Sequence, residues 1–164
     1  MARLILGIDP GSRITGYGVI RAEGHRLTFL ACGTIKVANK STFADRLLEI
    51  FTGTNEVIAN FKPQEMAIED IFMAKNANSA LKLGQARGVL LLAGRAAGLD
   101  IHEYTPRTIK QTVAGYGQAE KAQVQQAVRS RLQLSATPSQ DAADGLAAAI
   151  CHAHHGIQLR TAGK

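Results

Sequence analysis

The 164-residue chain has no tryptophan, four prolines and two cysteines, and aromatic residues make up only 5% of it. Cys32 and Cys151 stand far apart without metal-type spacing, which excludes a disulfide-stapled scaffold and a zinc finger. Both are expected to be core thiols. With no apolar leader behind Met1, the sequence predicts a cytoplasmic, reduced protein. The longest apolar run, Gly88 to Ala97, is broken by Arg95 and falls well short of the roughly 20 residues that span a bilayer. Internal repeats, low-complexity tracts and linkers are also missing. A single domain is therefore expected over residues 1–156, with 157–164 as a basic C-terminal tail. An apolar fraction of 46% gives that domain a core without staples. Acids are in deficit, 13 Asp and Glu against 19 Lys and Arg, so the net charge of +6 favours a polyanionic partner.

The scarce acids are not scattered evenly. Leu4 to Ile8 is an aliphatic run bounded by Pro10 and Gly11, which reads as a buried central strand with Asp9 at its rim. Capping of the following turn would account for Asp9 taken alone. Thr15 to Ile20 and Leu27 to Ile35 read as two more strands joined by the turn Glu23-Gly24-His25, so the chain opens as an antiparallel meander. Ser41 or Thr42 then caps a helix whose apolar residues run from Leu47 to Phe61 and stop at Pro63. A short strand, Met66 to Ile68, follows and ends in Glu69. A strand, a crossover helix and a parallel strand bring both C-terminal strand ends to one sheet edge, so Asp9 and Glu69 are expected to be neighbours.

After a polar loop over residues 71–78 comes a helix over 79–97, in which Leu81, Leu91 and Leu92 are expected to face the core. Ile101 to Tyr104 is a fifth strand, and Thr105-Pro106 starts the next helix with a hydroxyl cap and an N1 proline. Helical spacing resumes from Glu120 to Leu132. A last helix, from about Gln140 to His154, carries Asp141 and Asp144 on one face of its first turn. N-terminal capping explains such a pair in isolation. Its small neighbours, Ala142, Ala143, Gly145 and Ala147 to Ala149, let the helix approach a sheet closely and bring these two acids to the strand-end pair. His152, His154 and His155 have no cysteine or carboxylate partner in sequence and read as surface histidines.

Four converging carboxylates repel by several kcal/mol in a partly dry site unless cations lie among them. Hard oxygen donors suit two Mg²⁺ ions, with Mn²⁺ able to substitute. Such a pair can activate a water and stabilise the leaving 3′ oxygen in phosphodiester hydrolysis. The residues thus point to a metal-dependent nuclease.

Gly7-Ile8-Asp9-Pro10-Gly11-Ser12, Thr15-Gly16-Tyr17-Gly18, Ala67 to Asn76, Ala80 to Gly88 and Asp141-Ala142-Ala143-Asp144 together closely resemble the bacterial RuvC family of Holliday-junction resolvases, in the same order and from about Leu4 to Ala153. The resemblance implies an α/β, ribonuclease H-like fold: a five-stranded mixed sheet, three antiparallel strands then two parallel ones, flanked by helices. It implies that Asp9, Glu69, Asp141 and Asp144 are catalytic metal ligands. It also implies a homodimer that cuts two strands of like polarity symmetrically at a four-way junction, in homologous recombination and DNA repair, alongside the branch-migration proteins RuvA and RuvB. Lys110 and Lys121 match lysines that hold phosphates in the family. Lys75, Lys82 and Arg87 are further expected phosphate contacts, and Phe72, beside the Glu69 strand, is expected to stack on a junction base. Two rivals stay open at this point. Asp9-Pro10-Gly11-Ser12 also resembles the first phosphate-binding turn of the actin and sugar-kinase ATPases, and a non-cutting junction-binding module would share the basic charge.

Overall fold

A computed structural model describes residues 1–39, 42–71 and 75–162, with side chains as far as residue 156. The strands are β1 (Arg3–Asp9), β2 (Ile14–Glu23), β3 (Arg26–Lys36), β4 (Glu65–Glu69) and β5 (Asp100–Tyr104). They lie in the order β3-β2-β1-β4-β5. β1, β2 and β3 pair antiparallel, and β1, β4 and β5 pair parallel, as the alternation of short runs and crossovers predicts.

Among the described residues five helices cover the two faces: α1 (Phe43–Phe61), α2 (Ala77–Ala96), α3 (Pro106–Ala114), α4 (Lys121–Leu132) and α5 (Gln140–Ala162). Their ends follow local chemistry. Thr42 and Asp45 form a reciprocal capping box at the start of α1, which ends at a left-handed Lys62 before Pro63. Thr105 accepts the Thr108 N–H ahead of α3, and Gly115 closes that helix at φ 93°.

Alternate residues of the strands feed two cores. On one face Leu6, Ile8, Val19, Met66 and Ile68 pack against Ile50 of α1 and Leu90 of α2. On the other, Ile5, Ile20 and Ala67 meet Val113 of α3, Val128 of α4 and Leu146 and Ile150 of α5. Helix α5 lies almost on the backbone of β1 and β2. A Cβ at Gly7 would stand 2.6 Å from the Ala149 nitrogen, and one at Gly16 would overlap the Asp141 carbonyl. The small residues noted in sequence thus belong to a close-packed seam shared by helix and sheet.

Three expectations are corrected. Leu81 and Leu92 are 66% and 62% exposed, and only Leu91 packs against the core. The buried stripe of α2 is Ala86, Leu90, Ala93 and Gly94, so Leu81 and Leu92 fall on the opposite side. His152 is not a surface histidine: it is 3% exposed. Its Nε2 lies 2.7 Å from Glu65 Oε2 and its Nδ1 2.7 Å from the Tyr104 hydroxyl, while its ring stacks on His102 at 4.1 Å. Arg3 donates to the same Glu65 carboxylate at 2.7 Å. The partner that sequence spacing could not reveal comes from the start of β4. Finally, α5 runs on to Ala162, past His154, where the sequence ends the last helix.

Candidate active site

The β1–β4 ladder ends with Ile8 beside Ile68, so the next residues, Asp9 and Glu69, close adjacent parallel strands at one edge. Asp9 is also paired across the antiparallel ladder with Gly16. Because Gly16 has no side chain, the first turn of α5 comes down directly over this pair, with the Asp141 main chain against it. Ser139 starts that turn, its hydroxyl accepting the Ala142 N–H at 3.3 Å and its carbonyl the Ala143 N–H at 2.8 Å. Asp144 follows one turn along the same face. Sheet edge and helix start thus gather the four acids that the sequence singled out.

Their electrostatics show how closely they are coupled. Burial, a hydrogen bond to Glu69 and the charges of Glu69 and Asp141 push the Asp9 carboxyl up to about 9, against an opposing pull from Lys121. Asp144 is pushed up to about 7, by burial first and then by Asp9 and Asp141, with Lys121 and Lys110 opposing. Asp9 therefore carries a proton at neutral pH and donates it toward Glu69. A cavity of about 20 Å³, large enough for a single water or ion, lies between Glu69, Asp144, Lys110, Pro106, Ile109 and Val124.

This donor set fits a hard divalent cation. Among the described residues, no three His, Cys, Asp or Glu side chains converge tightly enough to enclose one ion. Mg²⁺ needs no such enclosure: it keeps several of its waters and takes one or two carboxylates plus substrate phosphate oxygens. The upward push on Asp9 from burial, Glu69 and Asp141 marks where negative charge is in excess.

The expected cations occupy different surroundings. Lys121, exposed at the start of α4, and Lys110, half-buried on α3, both act on the acids. Lys75 is exposed just ahead of α2. Lys82 sits 5.9 Å from the Phe43 ring, which Arg46 covers at 5.0 Å. The sequence carries no mark of Arg46, because the ring joins it to Lys82 only through the packing of α1 on α2. Its Nε is buried without a hydrogen-bond partner among the described residues. Arg87 is turned inward onto Glu69, Asp70 and Glu103. Phe72 lies outside the described residues. A larger cavity of about 840 Å³, between the β2–β3 turn and the α4–α5 loop, includes none of the predicted site residues.

Comparison with known proteins bears on the whole chain. The family model for crossover junction endodeoxyribonuclease RuvC matches residues 5–152. The crossover junction endodeoxyribonuclease RuvC of Citrifermentans bemidjiense is 54% identical over 151 residues, covering 92% of each chain. The solved structure of T. thermophilus RuvC in complex with Holliday junction substrate superposes with a TM-score of 0.88 at 32% identity, over 95% of this chain and 96% of that one. The yeast mitochondrial Holliday junction resolvase Ydc2, at 12% identity, shares the fold with a TM-score of 0.64 over 98% of this chain and 86% of its own.

Proposed function

The chain belongs to the RuvC family of crossover junction endodeoxyribonucleases, and we propose that Asp9, Glu69, Asp141 and Asp144 are the carboxylates with which it cuts. It is a ribonuclease H-like endonuclease that resolves Holliday junctions, and its family implies a divalent metal. The observation that carries the assignment of the site is the shared rim: four acids from β1, β4 and α5, close enough that Glu69 and Asp141 act on Asp9, and Asp9 and Asp141 on Asp144.

Asp9 and Glu69, fixed on strands, would hold two Mg²⁺ ions together with Asp141 and Asp144 on the helix, and Mn²⁺ would substitute. Cations held there would supply an activated water and charge stabilisation at the leaving 3′ oxygen. The protein's own part is to fix the donors, exclude bulk water with the buried walls of β1 and α5, and give up the Asp9 proton when a cation arrives. Lys110 and Lys121, which already oppose the charge of the acids, hold the scissile phosphate against them. Lys75 and Lys82 contact flanking phosphates, and Phe72 stacks on a junction base.

Cutting two strands of like polarity symmetrically needs two such sites, which a homodimer provides. Supporting it is the outer face of α2, where Leu81, Gly84, Gln85, Gly88 and Leu92 are all exposed. Small and apolar residues on one helical face suit close packing against the same face of a second copy. RuvA and RuvB are the proposed partners, and the cytoplasm the proposed compartment. No helix among the described residues is long and apolar enough to cross a membrane.

The test is incubation with a synthetic four-way junction and with linear duplex of the same sequence, in Mg²⁺ or EDTA, resolved on a denaturing gel. Paired nicks in the junction alone, only with Mg²⁺, and lost in Asp9→Asn while binding persists, support the assignment. Cutting by Asp9→Asn overturns it, and binding without cutting identifies a non-catalytic junction module.

A further inference from the structure

Arg87 departs from its expected place on a DNA-facing surface. Its side chain is 14% exposed, and its donors are turned onto protein acceptors. Nε donates to the main-chain carbonyl of Glu69 at 3.3 Å. Nη2 pairs with Glu103 of β5 and lies 3.6 Å from Asp70 Oδ1. Asp70 in turn accepts the Ile71 N–H at 2.9 Å and gives its own N–H to the Tyr104 carbonyl at 2.7 Å. The register of β1 on β4 stops at Ile68, one residue short of Glu69, so it is a guanidinium from α2 that meets the Glu69 carbonyl. One planar cation thereby ties together the end of β4, the residue after it and the end of β5.

We propose that Arg87 is a positioning residue for Glu69 rather than a phosphate contact. Glu69 closes a strand of only five residues, and its carboxylate must stay in register with Asp9 for both to serve one cation site. Arg87 fixes the backbone from which that carboxylate springs. Arginine suits the task because its rigid fork serves several acceptors at once, whereas a lysine supplies one point charge on a flexible stem. Groups that orient metal-holding side chains typically change metal affinity or activity 10- to 100-fold when removed. The inference rests on the reading of Glu69 as a cation-holding carboxylate.

The experiment compares wild type with Arg87→Lys, Arg87→Gln and Glu103→Ala. It measures junction Kd by anisotropy in EDTA, Mn²⁺ binding to the free protein by electron paramagnetic resonance, the Mg²⁺ midpoint of single-turnover cleavage, and thermal stability. Both Arg87 variants are expected to keep junction Kd within about two-fold while Mn²⁺ affinity falls and the Mg²⁺ midpoint rises by about ten-fold or more, without rescue by lysine. Glu103→Ala, at a half-exposed position, moves the same two quantities in the same direction by a smaller factor. A ten-fold loss of junction affinity with metal response unchanged would make Arg87 a phosphate contact and overturn the proposal, as would wild-type behaviour in every readout. If the Arg87 variants do not fold, Glu103→Ala decides: a wild-type metal response from it overturns the proposal. Glu69→Gln serves as control, since wild-type cleavage by that variant refutes the site itself and not the role of Arg87.

Discussion

Asp9→Asn is expected to abolish cleavage and yet make the metal-free protein more stable. In the folded state burial and the neighbouring acids push the Asp9 carboxyl from its ordinary 3.8 up to about 9. Below the ordinary value both folded and unfolded chains hold the proton, and folding is unaffected. As pH rises further the unfolded chain ionises while the folded one keeps its proton, so stability is lost progressively until the folded carboxyl also titrates. At pH 7 the interval already crossed is roughly three units, which at about 1.4 kcal/mol each sets a ceiling of about 4 kcal/mol. A gain of about 2 to 3 kcal/mol, below that ceiling, corresponds to roughly 5 to 10 °C in Tm for a domain of this size. Asparagine removes this penalty and keeps the local geometry, since its amide N–H can donate to Glu69 as the protonated carboxyl does. The assay is urea unfolding of both proteins in EDTA between pH 4 and 9. The gap should be near zero at pH 4 and widen with pH. Equal or lower stability of Asp9→Asn at pH 7, or a gap that ignores pH, would refute the account of a proton standing in for the cation.

The same proton makes metal binding release protons, so the Mg²⁺ concentration for half-maximal cleavage should fall between pH 6 and 8.5; a pH-independent midpoint counts against Asp9 and Asp144 as ligands. Gly16→Ala places a methyl group against the Asp141 carbonyl; it should cost about 2 kcal/mol and lower single-turnover cleavage by about 100-fold, with circular dichroism showing the helices intact. Junction affinity in EDTA should drop by about a thousand-fold or more from 50 to 200 mM salt as phosphate contacts release counterions, and a flat response would contradict a polyanionic substrate. Leu92→Glu, on the exposed face of α2, should shift sedimentation at micromolar concentration toward monomer and replace paired nicks by single ones.

The sheet was legible because each strand announces itself twice, by a short aliphatic run and by the turn or acid that ends it. Asp9 and Glu69 could be paired from topology alone, since parallel neighbours end at the same edge. Placing Asp141 and Asp144 beside them needed a further inference from small residues. The structure supplies its mechanism in the seam where Gly7 and Gly16 admit the α5 backbone. What stayed hidden depends on contacts between elements distant in sequence. Nothing near His152 in the chain marks Glu65 as its partner 87 residues away, so it reads as a surface histidine together with His154 and His155. Leu81 and Leu92 carry core hydrophobicity but not the phase of the helix, which Ala86 and Leu90 set instead.

Arg87 shows the deepest limit of the sequence. In a basic protein that binds DNA, an arginine within a polar helix is read as facing phosphate, and nothing local contradicts it. The contradiction comes from Asp70 and Glu103, whose charges reach the same point only when β4 and β5 lie side by side. The acidic rim must hold enough negative charge to attract cations without adding more than they can offset. On that view the positive charges near the site divide into two groups. Lys110 and Lys121 act directly on the acids and are the proposed contacts for the substrate's phosphates. Arg87 faces inward and pairs with Asp70 and Glu103, acids outside the proposed metal-holding set.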